Sequence, residues 1–152
     1  MTTRRGVLVG AMTLALATAG ARLGRAVAKS PIVVHKSPTC GCCGAWVEHL
    51  RGSGYVATVQ DVGDLTPIKR KLGVPRALQS CHTAVVEGYV VEGHVPADLI
   101  DRLLAERPTV VGIAVPGMPI GSPGMEVPGQ AAERYQVLAF DRKGRATVFA
   151  SR

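Results

Sequence analysis

Three cysteines crowd into four residues, Cys40-Gly41-Cys42-Cys43, and the fourth cysteine of the chain, Cys81, follows far downstream beside His82. Cys40 and Cys43 hold the C-x-x-C spacing that lets two sulfurs face one point. Cys42 adds a third sulfur, and Gly41 permits the tight bend. The segment falls between a strand-like run and the first turn of a helix. Unpaired backbone N–H groups and the positive end of the helix dipole favour thiolate over thiol there. Thiolate is the form that binds a metal or attacks a disulfide. Three thiolates so close repel one another unless protons or a cation neutralise them, which favours a metal ion. The competing reading is a redox or structural disulfide with one spare thiol. A purely structural framework would spread its cysteines to close large loops.

Other candidate ligands lie elsewhere in the chain. Cys81-His82 precedes an apolar run and offers a fourth sulfur and an imidazole, although a histidine at the start of a strand often only bonds backbone. His94, in Gly93-His94-Val95-Pro96, is either a helix cap or a ligand. Met118 and Met125 belong to two copies of Pro-Gly-Met, at 116–118 and 123–125. They are not at helical spacing, so a core stripe does not explain them; a hydrophobic lid or a soft thioether ligand does. His35 reads as a core-strand residue and His49 as a helix-surface one, and neither is a candidate.

These groups need a scaffold that brings residue 81 to residue 40. Ile32-Val33-Val34-His35 is a short apolar run ended by Ser37-Pro38, a buried strand followed by a turn. Trp46, Val47 and Leu50 recur at helical spacing over residues 42–50, and Gly52-Ser53-Gly54 stops that helix. Residues 55–62 alternate as a second strand. Asp64 can cap a helix with Pro67 in its first turn, ending near Leu72-Gly73. Residues 83–87 and 89–92 flank Gly88 as a hairpin whose turn type stays open, and Pro96 opens a helix to Glu106. The order β-α-β-α-β-β-α predicts an α/β (α+β) mixed sheet with helices packed on it. The start of its third strand should then lie beside the amino end of the first helix. A Pro- and Gly-rich loop over 115–129 and a closing hairpin, 136–140 with 146–150, complete the chain.

The amino end reads as an address. Arg4-Arg5 stands before an apolar run over 7–21, and Ala26-Val27-Ala28 supplies small residues at the positions a signal peptidase reads. Residues 1–28 are expected to be a signal peptide, and the paired arginines favour the twin-arginine route. The run is shorter than the roughly 20 apolar residues of a membrane span. Residues 29–152 then form one domain, periplasmic and with no membrane attachment after cleavage. Of 18 Lys and Arg, four leave with the signal and no acid does, so 14 remain against 11 Asp and Glu, a net +3. Lys69-Arg70-Lys71 is the one basic run left. With no interleaved aromatic residues it reads as a solvated helix face, and nucleic acid is not an expected partner.

Four cysteines with a histidine suit tetrahedral zinc, and iron–sulfur clusters also take four cysteines but at other spacings. Copper, as Cu(I) or Cu(II), ranks above zinc on three grounds. Clustered thiolates could bridge several ions, soft methionines stand nearby, and an oxidising compartment would otherwise close C-x-x-C into a disulfide that bound Cu(I) could prevent.

With these residues in view, the chain resembles the CopG-type family of periplasmic copper-resistance proteins, a domain of unknown function with a thioredoxin-like fold. It is distinct from the DNA-binding repressors of the same name. The resemblance covers nearly all of residues 31–150 and rests on four blocks. These are Lys36-Ser37-Pro38-Thr39-Cys40-Gly41-Cys42-Cys43, Ser80-Cys81-His82-Thr83, Glu92-Gly93-His94-Val95-Pro96-Ala97, and Val115-Pro116-Gly117-Met118-Pro119 with Gly121-Ser122-Pro123-Gly124-Met125-Glu126. It implies copper held by Cys40, Cys42, Cys43 and Cys81, as a multi-copper cluster, and a part in copper tolerance alongside periplasmic copper-handling proteins. It also implies thiol or copper redox activity. A thiol–disulfide oxidoreductase using Cys40 and Cys43, and a structural zinc domain that binds partners, are the alternatives. Against dithiol exchange, Cys42 and Cys81 would obstruct it, and Val74-Pro75 stands too far before the third strand to serve as the proline usual in thioredoxins.

Overall fold

The β-branched run Ile32-Val33-Val34 opens strand β1, Ile32–Lys36, with Ile32 and Val34 fully buried. The structure is a computed structural model and describes residues 29–152; the signal peptide expected over 1–28 lies outside them. Helix α1, Gly41–Gly52, buries Cys43, Trp46, Val47 and Leu50, the i, i+3, i+4, i+7 stripe of an amphipathic helix. It begins one residue before the sequence pattern suggests and runs two further. Strand β2, Ala57–Asp61, is followed by helix α2, Thr66–Lys71, where the Asp64 carboxylate accepts the Thr66 N–H at 2.8 Å. A turn of 3-10 helix, Arg76–Leu78, leads to strands β3, His82–Val86, and β4, Tyr89–Glu92. Their connection is a two-residue turn with Glu87 at φ 45° and Gly88 at φ 85°, the mirror-image geometry that matches strand twist. Helix α3, Ala97–Glu106, opens after Pro96 as expected.

Strand β5, Gly112–Ala114, is absent from the sequence expectation, as is the 3-10 turn; the closing hairpin, β6 Gln136–Phe140 and β7 Ala146–Ser151, is present. Three residues ahead of a glycine- and proline-rich loop give no periodicity to read. Yet β5 is the strand that joins the two halves of the sheet, whose order is β2-β1-β3-β4-β5-β6-β7. β1 pairs β2 in parallel and β3 antiparallel, and β4 pairs β5 in parallel. The mixed α/β class is as expected, and this order is compatible with the thioredoxin-like arrangement implied by the resemblance.

Period-two alternation divides the apolar residues between two faces. Val91, Ile113 and Ala139 join the α1 and α3 stripes in the main core. Their neighbours Val90, Ala114 and Phe140 form a smaller cluster with Val74 and Leu78 on the other face. The main core holds α1 rigidly against the sheet. Register then does the positioning: Lys36 pairs with His82, so Cys81 lies across from the turn that delivers Cys40.

Candidate metal centre

Strand β1 ends into Ser37-Pro38-Thr39, where the Cys40 N–H turns back to the Ser37 carbonyl at 3.2 Å. Cys40 is the N-cap of α1, with no side-chain cap and no acidic residue in the first helical turn. The amino-terminal N–H groups and the positive dipole end are therefore presented to the cysteines without compensation. One ligand atom from each of Cys40, Cys42, Cys43 and Cys81 lies within 4.8 Å of all the others. The convergence expected from the sequence is present. Cys40 and Cys43 are joined by a disulfide, while Cys42 and Cys81 are free thiols. Cys42 Sγ lies 3.5 Å from Cys40 Sγ.

The histidines form a second group of close contacts that shares Cys81. Cys81, His82 and His94 also place ligand atoms within 4.8 Å of one another. His94 is fully buried and its Nδ1 stands 2.8 Å from the Pro123 carbonyl. A carbonyl only accepts, so Nδ1 carries the proton and Nε2 carries a lone pair. That lone pair faces Cys81 Sγ at 3.1 Å. A backbone carbonyl fixing the tautomer of an imidazole whose other nitrogen points at a sulfur is the outer-shell pattern of metal-binding histidines. His94 is thus part of the site rather than a helix cap. The N-cap of α3 is Pro96, and the Ala97 N–H is accepted by His49 Nε2 at 3.1 Å. His49 is half-buried between α1 and α3, where the helical pattern suggests a surface residue; the pattern does not show that α3 covers that face.

His82 is fully buried, with its ring stacked 4.3 Å from that of Trp46 and edge-on to His94 at 4.9 Å. Its Nδ1 lies 3.4 Å from Cys81 Sγ, and its Nε2 has no hydrogen-bond partner. An orphaned buried nitrogen is costly and calls for a reason. Burial, then the neighbouring His94, pushes the His82 pKa down to about 3. Burial likewise lowers His94. Burial, then Cys42, pushes the Cys81 thiol up to about 11. These directions agree with the geometry: a neutral thiol donates to a neutral imidazole. A cation bound here would have to displace a proton from Cys81 and would meet uncharged histidine nitrogens.

The Pro-Gly-Met loop closes on the site through its backbone. Gly117 accepts the Ser80 hydroxyl at 2.6 Å, beside Cys81, while Pro123 holds His94. Gly124 lies flat against α1, where an added Cβ would come within 2.8 Å of the Cys42 carbonyl. Met125 follows directly and is half-buried; Met118 is 53% exposed. The sequence missed Pro123, Ser80 and Gly124, because each acts by backbone or by contact across a large separation. It also misjudged the basic run: Arg70 and Lys71 are exposed, but Lys69 is 5% exposed and ion-paired to fully buried Glu92. A helix of six residues whose Lys69 reaches β3 and β4 turns one side inward, whatever its charge.

Residues 78–125 match the family described as "Protein of unknown function, DUF411". That span holds Cys81, His82, His94, Met118 and Met125, all the candidates outside the cysteine trio. No curated protein matches the chain. Two solved structures do, described as "Copper resistance protein copG- Form 1" and "Copper resistance protein copG- Form 2". Each is 47% identical with a TM-score of 0.76, and the match covers 81% of this chain and 97% and 98% of theirs. The identity extends over nearly the whole of both neighbours, so the chain belongs to the CopG-type copper-resistance family.

Proposed function

We propose that this chain is an exported, periplasmic copper-binding protein of copper resistance. Residues 1–28 are its twin-arginine signal, and 29–152 its single metal-binding domain. Cys40, Cys42, Cys43 and Cys81 are the sulfur ligands, with His82 and His94 as nitrogen ligands and Met118 and Met125 as thioethers on the covering loop. One observation carries the reading: sulfurs from two stretches 38 residues apart meet within 4.8 Å. Soft sulfur donors select Cu(I) over hard cations, and neighbouring thiolates can bridge more than one ion. An external dithiol opens the Cys40–Cys43 disulfide to two thiols by thiol–disulfide exchange, leaving as a disulfide itself, and the two thiols would lose their protons on binding metal. The site is then either oxidised and sulfur-poor or reduced and copper-loaded, which suits sequestration coupled to Cu(I)/Cu(II) interconversion. Protein purified from the periplasm of copper-fed cells should carry copper that is lost in Cys40→Ser. Zinc alone, or unchanged copper in that variant, would count against copper binding.

The disulfide itself favours a second reading, a thiol–disulfide oxidoreductase using Cys40 and Cys43. Metal-free protein would then reduce insulin. Turnover surviving Cys42→Ser and Cys81→Ser, but abolished by Cys40→Ser, would support that enzyme over the copper protein.

A further inference from the structure

A buried ion pair beside the sulfur cluster belongs to none of the ligands. Lys69 Nζ donates to Glu92 Oε1 at 2.5 Å and to Thr83 Oγ1 at 2.9 Å, and the Thr83 hydroxyl donates to Glu92 Oε2 at 2.6 Å. Lys69 is 5% exposed, and Thr83 and Glu92 are fully buried. Stability alone is a poor reason for such a pair, since an apolar replacement of similar shape is often neutral or stabilising. The contact that leaves the pair is more informative. The Ser80 N–H donates to Glu92 Oε1 at 2.6 Å, and Ser80 is the residue before Cys81.

Several parts of the site meet at this point. The Ser80 hydroxyl holds Gly117 of the first Pro-Gly-Met turn. The Glu92 carbonyl accepts the Val115 N–H at 3.0 Å, and the Gly93 N–H reaches the His82 carbonyl at 3.1 Å. Gly93, at φ 71°, has room for no side chain: a Cβ would stand 2.6 Å from the Val115 carbonyl oxygen and 2.7 Å from Ser80 Cβ. His94 follows immediately.

We propose that Lys69 and Glu92 are positioning residues for the metal centre. The Glu92 carboxylate, oriented by Lys69 and Thr83, anchors the Ser80-Cys81 peptide so that Cys81 Sγ faces both the cysteine helix and His94. Through Ser80 it also seats the covering loop. The proposal rests on the reading of Cys81 as a ligand. Outer-shell partners of metal ligands typically contribute 10–100-fold in affinity, and that is the effect expected here.

Two double variants separate positioning from packing. Lys69→Met with Glu92→Leu removes both charges and the acceptor for Ser80. Lys69→Met with Glu92→Gln removes the charges but keeps an amide oxygen for the Ser80 N–H. Cu(I) affinity is read by competition with a chromophoric chelator, bicinchoninate, with circular dichroism and thermal melts confirming the fold. The Leu variant should bind about 10–100-fold more weakly, and the Gln variant should be restored close to the starting protein. A folded Leu variant of unchanged affinity, or equal weakening in both, overturns the proposal. If the Leu variant does not fold, Thr83→Val decides, because it removes a hydroxyl that orients the Glu92 carboxylate: unchanged affinity there overturns it. If the unaltered chain holds no Cu(I), it is the copper reading that fails. The anchor is then read in metal-free Cys42→Ser protein with the disulfide intact, where Cys81 is the one free thiol. Its alkylation by iodoacetamide should quicken in the Leu variant and not in the Gln variant, and an unchanged rate in the Leu variant overturns the anchor.

Discussion

At the scale of single residues, the site is an arrangement of neutral donors that wait for a cation. Cys81 keeps its proton because burial and Cys42 push its pKa up to about 11. His94 presents a lone pair on Nε2 because its Nδ1–H donates to the Pro123 carbonyl. Copper uptake must therefore release the Cys81 proton, and apparent affinity should climb with pH, by up to about tenfold per unit for each proton released. Competition titrations across about pH 6 to 8 check this. Cys81→Ser should flatten the slope as well as weaken binding, and an equally steep slope in that variant would show that Cys81 is not deprotonated on binding. The sulfurs were legible in the sequence because their crowding is a local signal. His94 could be named but not assigned, since its tautomer depends on a carbonyl 29 residues away. Lys69 was misread because its partner Glu92 is 23 residues distant, and a basic run carries no mark of such a partner.

At the scale of elements, the decisive contact is between the Pro-Gly-Met loop and α1. Gly124 adopts φ 82°, and a Cβ there would sit 2.7 Å from the Trp46 amide nitrogen and 2.8 Å from the Cys42 carbonyl oxygen. Both atoms are helix backbone and cannot swing aside. Gly124→Ala combines left-handed strain with a backbone clash, each worth about 1–3 kcal/mol. The relief available is for the loop to lift from the helix, which would withdraw Pro123 from His94. The variant should therefore melt a few degrees lower and release copper faster to a competing chelator. Gly129→Ala, in open space at the far end of the same loop, should leave copper release unaffected. The sequence showed a loop dense in Pro and Gly with paired methionines, but not what it docks on. Pattern reading locates elements by periodicity, and a loop has none. For the same reason β5 and the 3-10 turn went unseen, although the α-helices and the other strands were each found to within three residues.

At the scale of the whole molecule, the sheet makes the site and the main core makes the sheet, so folding and metal binding are separable. Ile32, Trp46, Leu50, Ile100, Leu103 and Ile113 are fully buried in a core of apolar side chains that includes none of the cysteine or histidine candidates. Metal-free protein should keep its fold: a strong Cu(I) chelator should leave the far-ultraviolet dichroism unchanged, whereas a structural zinc domain would unfold. The metal-free fold should nonetheless be acid-sensitive in a defined window. His82 titrates near 3 when folded and at 6.5 when free, and His35, His49 and His94 are lowered in the same direction. Below pH 6.5 the unfolded chain takes up protons that the folded chain refuses. Stability is therefore complete above that pH and falls as acid is added toward about 3, with a slope of up to about 1.4 kcal/mol per pH unit for each such histidine. Trp46 is the one tryptophan and stacks on His82, so its fluorescence reports urea unfolding at the site itself. The urea midpoint should drop steadily between about pH 6.5 and 4, and His82→Gln should remove part of that slope. A midpoint independent of pH would mean that the imidazoles are not buried neutral. Bound copper should oppose the loss, because a cation on the histidine nitrogens excludes the protons that drive unfolding, until acid displaces the metal from Cys81.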